Sequence, residues 1–132
     1  MDWVVEEVSS LVRTHSVKTV AVDGAGQARA LIPKLEEVGV KVNRITSEQM
    51  TNAAGEFLDL VRAEQLFHLD DPVLNAAVEG AVQRDLGDAW AWARRKSANN
   101  VSPLVAASLA VYAVSQLRRR PPRIHYLEAA DA

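Results

Sequence analysis

The sequence predicts an α/β domain with a short, mostly parallel sheet flanked by helices. Apolar residues recur with the spacing of one helix face in several segments, as at Val4, Val8 and Leu11. The run at 19–22 is almost entirely apolar, as expected of a strand covered on both faces, whereas residues 40–45 alternate apolar with polar side chains. The chain has 132 residues, of which 48% are hydrophobic, so it can form one domain with an ordinary core.

In the first half of the chain, helices and strands are predicted to alternate. The predicted elements are helix 2–14, strand 18–23, helix 24–39, strand 40–45 and helix 46–64. Pro33 lies inside the second helical pattern, where proline costs about 3 kcal/mol, so we expect a kink or a late helix start there. The two strands are expected to be parallel because a helix links them. Thr46 and Ser47 are suitable caps for the third helix.

The second half is predicted to continue with helices and one strand. The predicted elements are an extended segment 65–69, helix 71–82, turn 85–88, strand 89–94, polar loop 96–100 and helix 102–117. Asp71-Pro72 is a strong helix start, with Asp as the N-cap and Pro at the first helical position. Trp90 and Trp92 alternate with alanines, which places both indoles on one face of a strand. Residues 118–132 are expected to be a basic, proline-broken tail after a domain that spans 1–117.

The composition excludes several classes of function. The 15 Lys and Arg residues against 17 Asp and Glu give a formal charge of -2, which excludes a globally basic nucleic-acid coat. The absence of cysteine excludes thiol nucleophiles, disulfide bonds and cysteine metal sites. No apolar run reaches the roughly 18 to 20 residues that span a bilayer. The first residues are acidic, unlike a secretory signal. We therefore expect a cytoplasmic protein with no membrane partner.

Asp23 is the first candidate functional residue, because a carboxylate at the carboxyl end of a buried strand stands where open α/β sheets bind ligands. Asp23-Gly24 is also a common turn that caps the next helix, and this structural interpretation stays open. The alternative is that Asp23 binds a divalent metal ion. A third interpretation, a small-ligand α/β domain, rests on the Asp23-Gly24 turn alone. The glycine spacing after Asp23 does not fit a dinucleotide-binding turn.

Basic residues are concentrated towards the carboxyl end of the chain. Arg94, Arg95 and Lys96 form one cluster, and residues 118–120 with Arg123 form another. Such clusters can form a phosphate-binding patch on a protein whose total charge is negative. The second cluster is equally well explained as a cationic helix end followed by a solvated tail.

Four blocks of sequence together resemble a known family. They are Thr19-Val20-Ala21-Val22-Asp23, His68-Leu69-Asp70-Asp71-Pro72-Val73-Leu74, Gly87-Asp88-Ala89-Trp90-Ala91-Trp92 with Arg94, and Ser102-Pro103-Leu104-Val105-Ala106. In this order and spacing, the blocks resemble the C-terminal nuclease domain of phage terminase large subunits, of the type common in actinobacterial phages and prophages. The resemblance covers about residues 3–114.

The resemblance implies a partial ribonuclease-H-like fold. In the family, three acids bind two Mg²⁺ or Mn²⁺ ions and cut concatemeric double-stranded DNA during genome packaging. Asp23 matches the family's second acid. Asn100 stands where the family has its third acid, and an amide brings no negative charge to offset two dications. The family's first acid lies on a β-hairpin upstream of the matched segment, and neither that hairpin nor the packaging ATPase domain has a counterpart in this chain.

From this resemblance we expect a fragment or remnant of a terminase nuclease domain that is inactive on its own. Asp88 is a candidate replacement ligand, although capping of the turn after Gly87 explains it as well. Arg94, Arg95 and Lys96 are the expected DNA-binding residues. The alternative is a non-enzymatic assembly module, in which an exposed sheet edge pairs with the missing part of a terminase or with a second copy of the chain.

Overall fold

The structure, a computed structural model, describes residues 2–95 and 97–119, apart from the side chain of Asp2. Its helices are α1 (Asp2–Thr14), α2 (Ile32–Glu37), α3 (Ser47–Arg62), α4 (Pro72–Glu79) and α5 (Ser102–Arg119), and a 3₁₀ helix spans Gln27–Leu31. Its strands are β1 (Val20–Asp23), β2 (Val42–Ile45), β3 (Gln83–Leu86) and β4 (Ala89–Trp92). The predicted α/β class is confirmed.

The two strands of the first half form a parallel pair, as predicted. Their register places Val20 beside Val42 and Asp23 beside Ile45. The connection between them is a 3₁₀ helix followed by α2, with Pro33 in the first turn of α2. A late helix start at Pro33 is therefore confirmed, because a proline in the first turn does not remove an internal hydrogen bond.

The second half differs from the prediction between residues 80 and 88. The helix that starts at Asp71-Pro72 ends at Glu79 and not at 82, because Gly80 forms its C-cap. β3 then pairs antiparallel with β4, and the predicted turn 85–88 shrinks to Gly87 and Asp88. Gly87 has a φ of 63°, which glycine adopts without strain at the first central position of a two-residue hairpin turn. The fold therefore has one parallel and one antiparallel pair of strands instead of a mostly parallel sheet.

The start of α3 and the end of α5 agree with local sequence signals. Thr46 caps α3 through a capping box: its side chain accepts a hydrogen bond from the Gln49 N–H, and the Gln49 side chain accepts one from the Thr46 N–H. α5 extends to Arg119, two residues past the predicted boundary at 117, and its last turn carries Arg118 and Arg119. Cations there stabilise the helix dipole. Residues 120–132 of the predicted tail lie outside the described residues.

The parallel sheet separates two apolar clusters. One contains Val5 of α1 and Leu35 of α2, which pack with Val40, and Val20, Val22 and Val42 of the sheet lie against it. The other contains Ile45 together with apolar residues of α3 and α5, including Phe57 and Leu104. Because side chains alternate along a strand, the two clusters cover opposite faces of the β1–β2 pair.

Within the described part of the chain, no third strand joins β1 and β2. Each of these strands has one edge without a strand partner there, and pairing of such an edge with another chain stays a prediction. None of the described helices is both long enough and apolar enough to cross a membrane.

Candidate functional site

The candidate site begins at Asp23, whose carboxylate is buried with only 7% of the residue exposed. Its Oδ1 accepts a hydrogen bond from the Ala25 N–H at 2.9 Å. Its Oδ2 forms an ion pair with Nη2 of Arg94 at 2.7 Å. A buried carboxylate is stable only when its charge is compensated, and here both oxygens have a donor. Asp23 therefore stabilises the turn that follows β1, whereas binding of a divalent metal ion by Asp23 stays a prediction.

Gly26 allows the backbone to approach this carboxylate. A Cβ atom at position 26 would lie 2.3 Å from Oδ2 of Asp23 and 3.4 Å from Nη1 of Arg94. The first separation is far below a van der Waals contact, so any larger residue would have to displace the carboxylate or the turn. Glycine is required here for space and not for its backbone angles, because the φ of Gly26 is −89°.

The hairpin and the loop that follows it hold Arg94 in position. The Ala93 N–H donates to the Val82 carbonyl at 2.7 Å, one step beyond the paired strands. Ser97 accepts a hydrogen bond from the Val82 N–H, and the Ala98 N–H donates to the Gly80 carbonyl at 2.9 Å. The chain on both sides of Arg94 is therefore hydrogen-bonded to the segment between α4 and β3.

Gly80 allows the loop after Arg94 to pack closely on the end of α4. A Cβ atom at Gly80 would lie 2.7 Å from the Asn99 backbone nitrogen, so the loop packs directly on the glycine backbone. The Asn99 side chain also donates to the Ala76 carbonyl of α4 at 2.8 Å.

The two tryptophans of β4 connect the hairpin to the rest of the domain. Their rings are in edge-to-face contact with centroids 4.9 Å apart, which confirms that they share one face. The indole N–H of Trp92 donates to the hydroxyl of Ser108 on α5 at 3.1 Å, and Ser108 is buried.

These elements enclose a cleft of about 410 Å³ between the Asp23 turn, the start of α3 and the hairpin. Three guanidinium groups line it, from Arg84, Arg94 and Arg95. Asp23 is the one acid among the described residues that line the cleft, and Arg94 neutralises it. The cleft therefore carries an excess of positive charge on a protein whose formal total charge is -2.

The other predicted site residues lie elsewhere or outside the described structure. Asn100 is exposed, and its Oδ1 accepts a hydrogen bond from the Ser102 N–H at 3.0 Å at the start of α5. Asp88 is exposed in the hairpin turn, and neither it nor Asn100 lines the cleft. Lys96 lies outside the described residues.

Arg84 is a site residue that the sequence analysis missed, because its segment was not recognised as a strand. β3 pairs Arg84 with the buried Ala91, so the guanidinium projects from the hairpin face that contributes to the cleft. The signal that could have found it is Gly87-Asp88 between two short segments, a typical two-residue hairpin turn.

The described residues do not fit a two-metal centre. Among residues 2–95 and 97–119, no group of three or more His, Asp or Glu side chains is arranged to hold a metal ion. Asp23 already compensates a guanidinium, and the oxygen of the Asn100 amide already accepts a backbone hydrogen bond.

Comparisons with protein-family models, with curated proteins and with solved structures found no match for this chain.

Proposed function

We propose that this chain is a ribonuclease-H-like domain, related to the nuclease domain of phage terminase large subunits, that binds the phosphate backbone of double-stranded DNA without cutting it. The observation that carries the proposal is the ion pair between Asp23 and Arg94 in a cleft with two further arginines. Arg94 neutralises Asp23, which is the one acid among the described residues that line the cleft, so Arg84 and Arg95 are available to a ligand.

The chemistry of the cleft favours phosphate over other anions. Guanidinium groups match phosphate oxygens with two parallel N–H donors, and they remain charged at any physiological pH. Arg94 uses one nitrogen for Asp23, and its side chain is still 47% exposed, so the rest of its donors can reach a ligand. Arg84 and Arg95 are exposed and have no ion pair to another described residue. A phosphodiester backbone is a ligand that several such groups can contact at once.

The same geometry argues against hydrolysis. Cleavage by two metal ions needs carboxylates that converge from different elements and compensate both cations. In the cleft, Arg94 lies at 2.7 Å from Asp23 and supplies the positive charge that a metal ion would supply in an active nuclease. A guanidinium can hold a phosphate, but it cannot generate a hydroxide nucleophile as a metal-bound water does.

The resemblance adds support from the fold. It implies an acid at the end of a strand of the sheet, and Asp23 ends β1, which pairs with β2. Arg94 and Arg95, two of the expected DNA-binding residues, line the cleft at that end of the sheet. The ribonuclease-H-like fold and the terminase kinship remain parts of the proposal.

The purified chain is expected to bind a labelled DNA duplex weakly and with strong salt dependence. A double variant with Arg84→Gln and Arg95→Gln should weaken binding about tenfold at low salt, because two phosphate contacts lose their charge. The slope of the logarithm of the association constant against the logarithm of the salt concentration is negative, and it should become less steep by about 2. Fluorescence anisotropy of a duplex of about 20 base pairs measures both quantities.

Arg62→Gln is the matched control, because Arg62 is exposed in the last turn of α3 and lines none of this cleft. The control should bind the duplex like the unmodified chain. An equal loss in the control, or a Kd that is constant between about 50 and 200 mM salt, would contradict binding by the cleft.

Supercoiled plasmid incubated with the purified chain and Mn²⁺ is expected to stay intact. The physical reason is the absence of a second carboxylate beside Asp23 among the described residues that line the cleft. Gel electrophoresis over a long incubation measures nicking, and Asp23→Ala distinguishes the chain's own activity from a contaminating nuclease. Robust nicking that disappears in Asp23→Ala would show that the domain is an active enzyme.

A further inference from the structure

A second cationic pocket lies at the opposite end of the parallel sheet. It has a volume of about 650 Å³ and is formed where β1 and β2 begin and α5 ends. Lys18, Lys41 and Arg119 line it, and each comes from a different part of the chain. None of the described residues that line this pocket is acidic. It is separate from the cleft at Asp23, with which it shares no lining residue.

A hydrogen bond across the domain fixes the polar wall of the pocket. The Asn43 side-chain nitrogen donates to Oε1 of Gln116 at 3.0 Å in a partly buried position, and the two residues are 73 positions apart in the sequence. This bond leaves the Asn43 carbonyl oxygen and the Gln116 amide N–H groups available to a ligand. The pocket is therefore more than a group of flexible surface lysines, because its back wall joins β2 to α5.

The strand register brings the basic side chains together. β1 and β2 are in register from Val20 beside Val42, so Thr19 lies beside Lys41, one residue before the pair begins. Lys18 precedes Thr19 directly, and both lysines are exposed. Arg119 lies three residues after Gln116, which places the two on the same side of α5.

Two of the three cations of this pocket have no acidic partner among the described residues. Within residues 2–95 and 97–119, neither Lys18 nor Lys41 forms an ion pair. Arg119 lies 3.8 Å from a carboxylate oxygen of Glu56, and its side chain is still 71% exposed. Three neighbouring cations repel one another, so an anion between them would be favoured by electrostatics and by the hydroxyl and amide donors around it.

We propose that this pocket binds a phosphate group. Lys18, Lys41 and Arg119 would compensate its charge, while the Thr19 hydroxyl and the Gln116 amide would donate hydrogen bonds to its oxygens. The phosphate belongs either to a free phosphorylated small molecule or to a nucleic-acid backbone that also contacts the Asp23 cleft. The two sites are at the two ends of one sheet face, and Thr19 and Asp23 are four residues apart, which corresponds to roughly 13 Å along a strand.

The experiment measures the binding of inorganic pyrophosphate to the full chain by isothermal titration calorimetry. The double variant Lys18→Gln with Lys41→Gln should weaken pyrophosphate binding about tenfold relative to the unmodified chain. Both lysines are exposed, so the variant is expected to fold normally, and thermal unfolding checks this. Lys34→Gln is the matched control, because Lys34 lies on α2 and does not line the pocket.

The labelled DNA duplex distinguishes the two sources of phosphate. A loss of pyrophosphate binding with unchanged DNA binding assigns the pocket to a small phosphorylated molecule. A loss of both assigns it to nucleic acid. If pyrophosphate does not bind the unmodified chain, or binds the double variant equally well, the proposal is wrong. DNA binding by Arg84 and Arg95 is measured separately, so either site can fail while the other stands.

Discussion

Replacing Ile45 by alanine is expected to lower the free energy of unfolding by about 2 to 5 kcal/mol. Ile45 is fully buried and ends β2, where its side chain packs in the cluster that contains Phe57 and Leu104. Truncation would remove apolar contacts and leave a cavity that the two flanking helices cannot easily close, because α3 and α5 also pack on each other. Urea denaturation followed by circular dichroism measures the change.

The loss is large compared with the total stability of about 5 to 15 kcal/mol that is typical of a domain. Ile45→Val should cost only about 0.5 to 1.5 kcal/mol, since it removes a single methylene group. Val38→Ala is the surface control, because Val38 is 52% exposed, and it should change stability by about 0.5 kcal/mol or less. If Ile45→Ala were as stable as the surface control, β2 would not be packed as described.

The Ile45 substitution also bears on the site. Ile45 lies beside Asp23 in the sheet register, and its carbonyl accepts a hydrogen bond from the Gly24 N–H at 2.9 Å. The turn that carries Asp23 is therefore attached to the end of β2. Partial loosening of β2 is expected to weaken DNA binding as well as stability, whereas Ile45→Val should leave DNA binding unchanged.

Gly26→Ala is expected to destabilise the protein by about 2 to 4 kcal/mol. The new Cβ would lie 2.3 Å from Oδ2 of Asp23, and this carboxylate is held by the Ala25 N–H and by Arg94. Moving it would break a charge-assisted hydrogen bond, and moving the turn would strain the backbone. Alanine is favoured over glycine by about 0.4 to 1 kcal/mol through the unfolded state, which is too small to offset the overlap.

Gly55→Ala is the matched control for this substitution. Gly55 lies inside α3, and a Cβ there would have no other atom within 4 Å. That variant should be more stable than the unmodified chain by roughly 1 kcal/mol, because alanine is the better helix former. Opposite signs for the two glycine variants in urea denaturation are therefore expected. A Gly26→Ala protein that matches or exceeds the unmodified chain in stability would refute the close approach at Asp23.

Much of the secondary structure could be predicted because its signals are local. The capping residues around Thr46 and Asp71 and the apolar spacing of α1 each act within a few residues of the chain. The parallel pairing of β1 and β2 also follows from short-range information, since a helical connection between two strands imposes it. The starts of α3 and α4, the extent of α1 and the parallel pairing were therefore predicted correctly.

The hairpin was missed for a physical reason. Ala77, Ala81 and Val82 continue the apolar spacing of α4, so the helical pattern runs on past Gly80 although the helix ends at Glu79. Gly80 forms the C-cap of this helix, and the loop of residues 97–99, which is distant in the sequence, packs on that glycine. This contact has no signal in the local pattern, whereas the hairpin turn itself has one in Gly87-Asp88.

The candidate site could be predicted only in part, because it depends on contacts between residues that are distant in the sequence. Asp23 could be singled out from its position after a buried strand, and Arg94 and Arg95 from their cluster. The ion pair of Asp23 with Arg94 joins residues 71 positions apart and depends on the hairpin that was not predicted. The second pocket likewise depends on Asn43 and Gln116, which are unremarkable in the sequence until β2 and α5 meet.

The two-stranded parallel sheet has a consequence for how the domain tolerates change. It is the shared wall of two apolar compartments, and it is only as wide as β1 and β2 together. Within the described residues, no further strand protects either cluster. Water that enters on either side of the sheet therefore reaches the same few backbone hydrogen bonds between β1 and β2. Truncation of α1 or of α5 is therefore expected to unfold both clusters together in one cooperative transition.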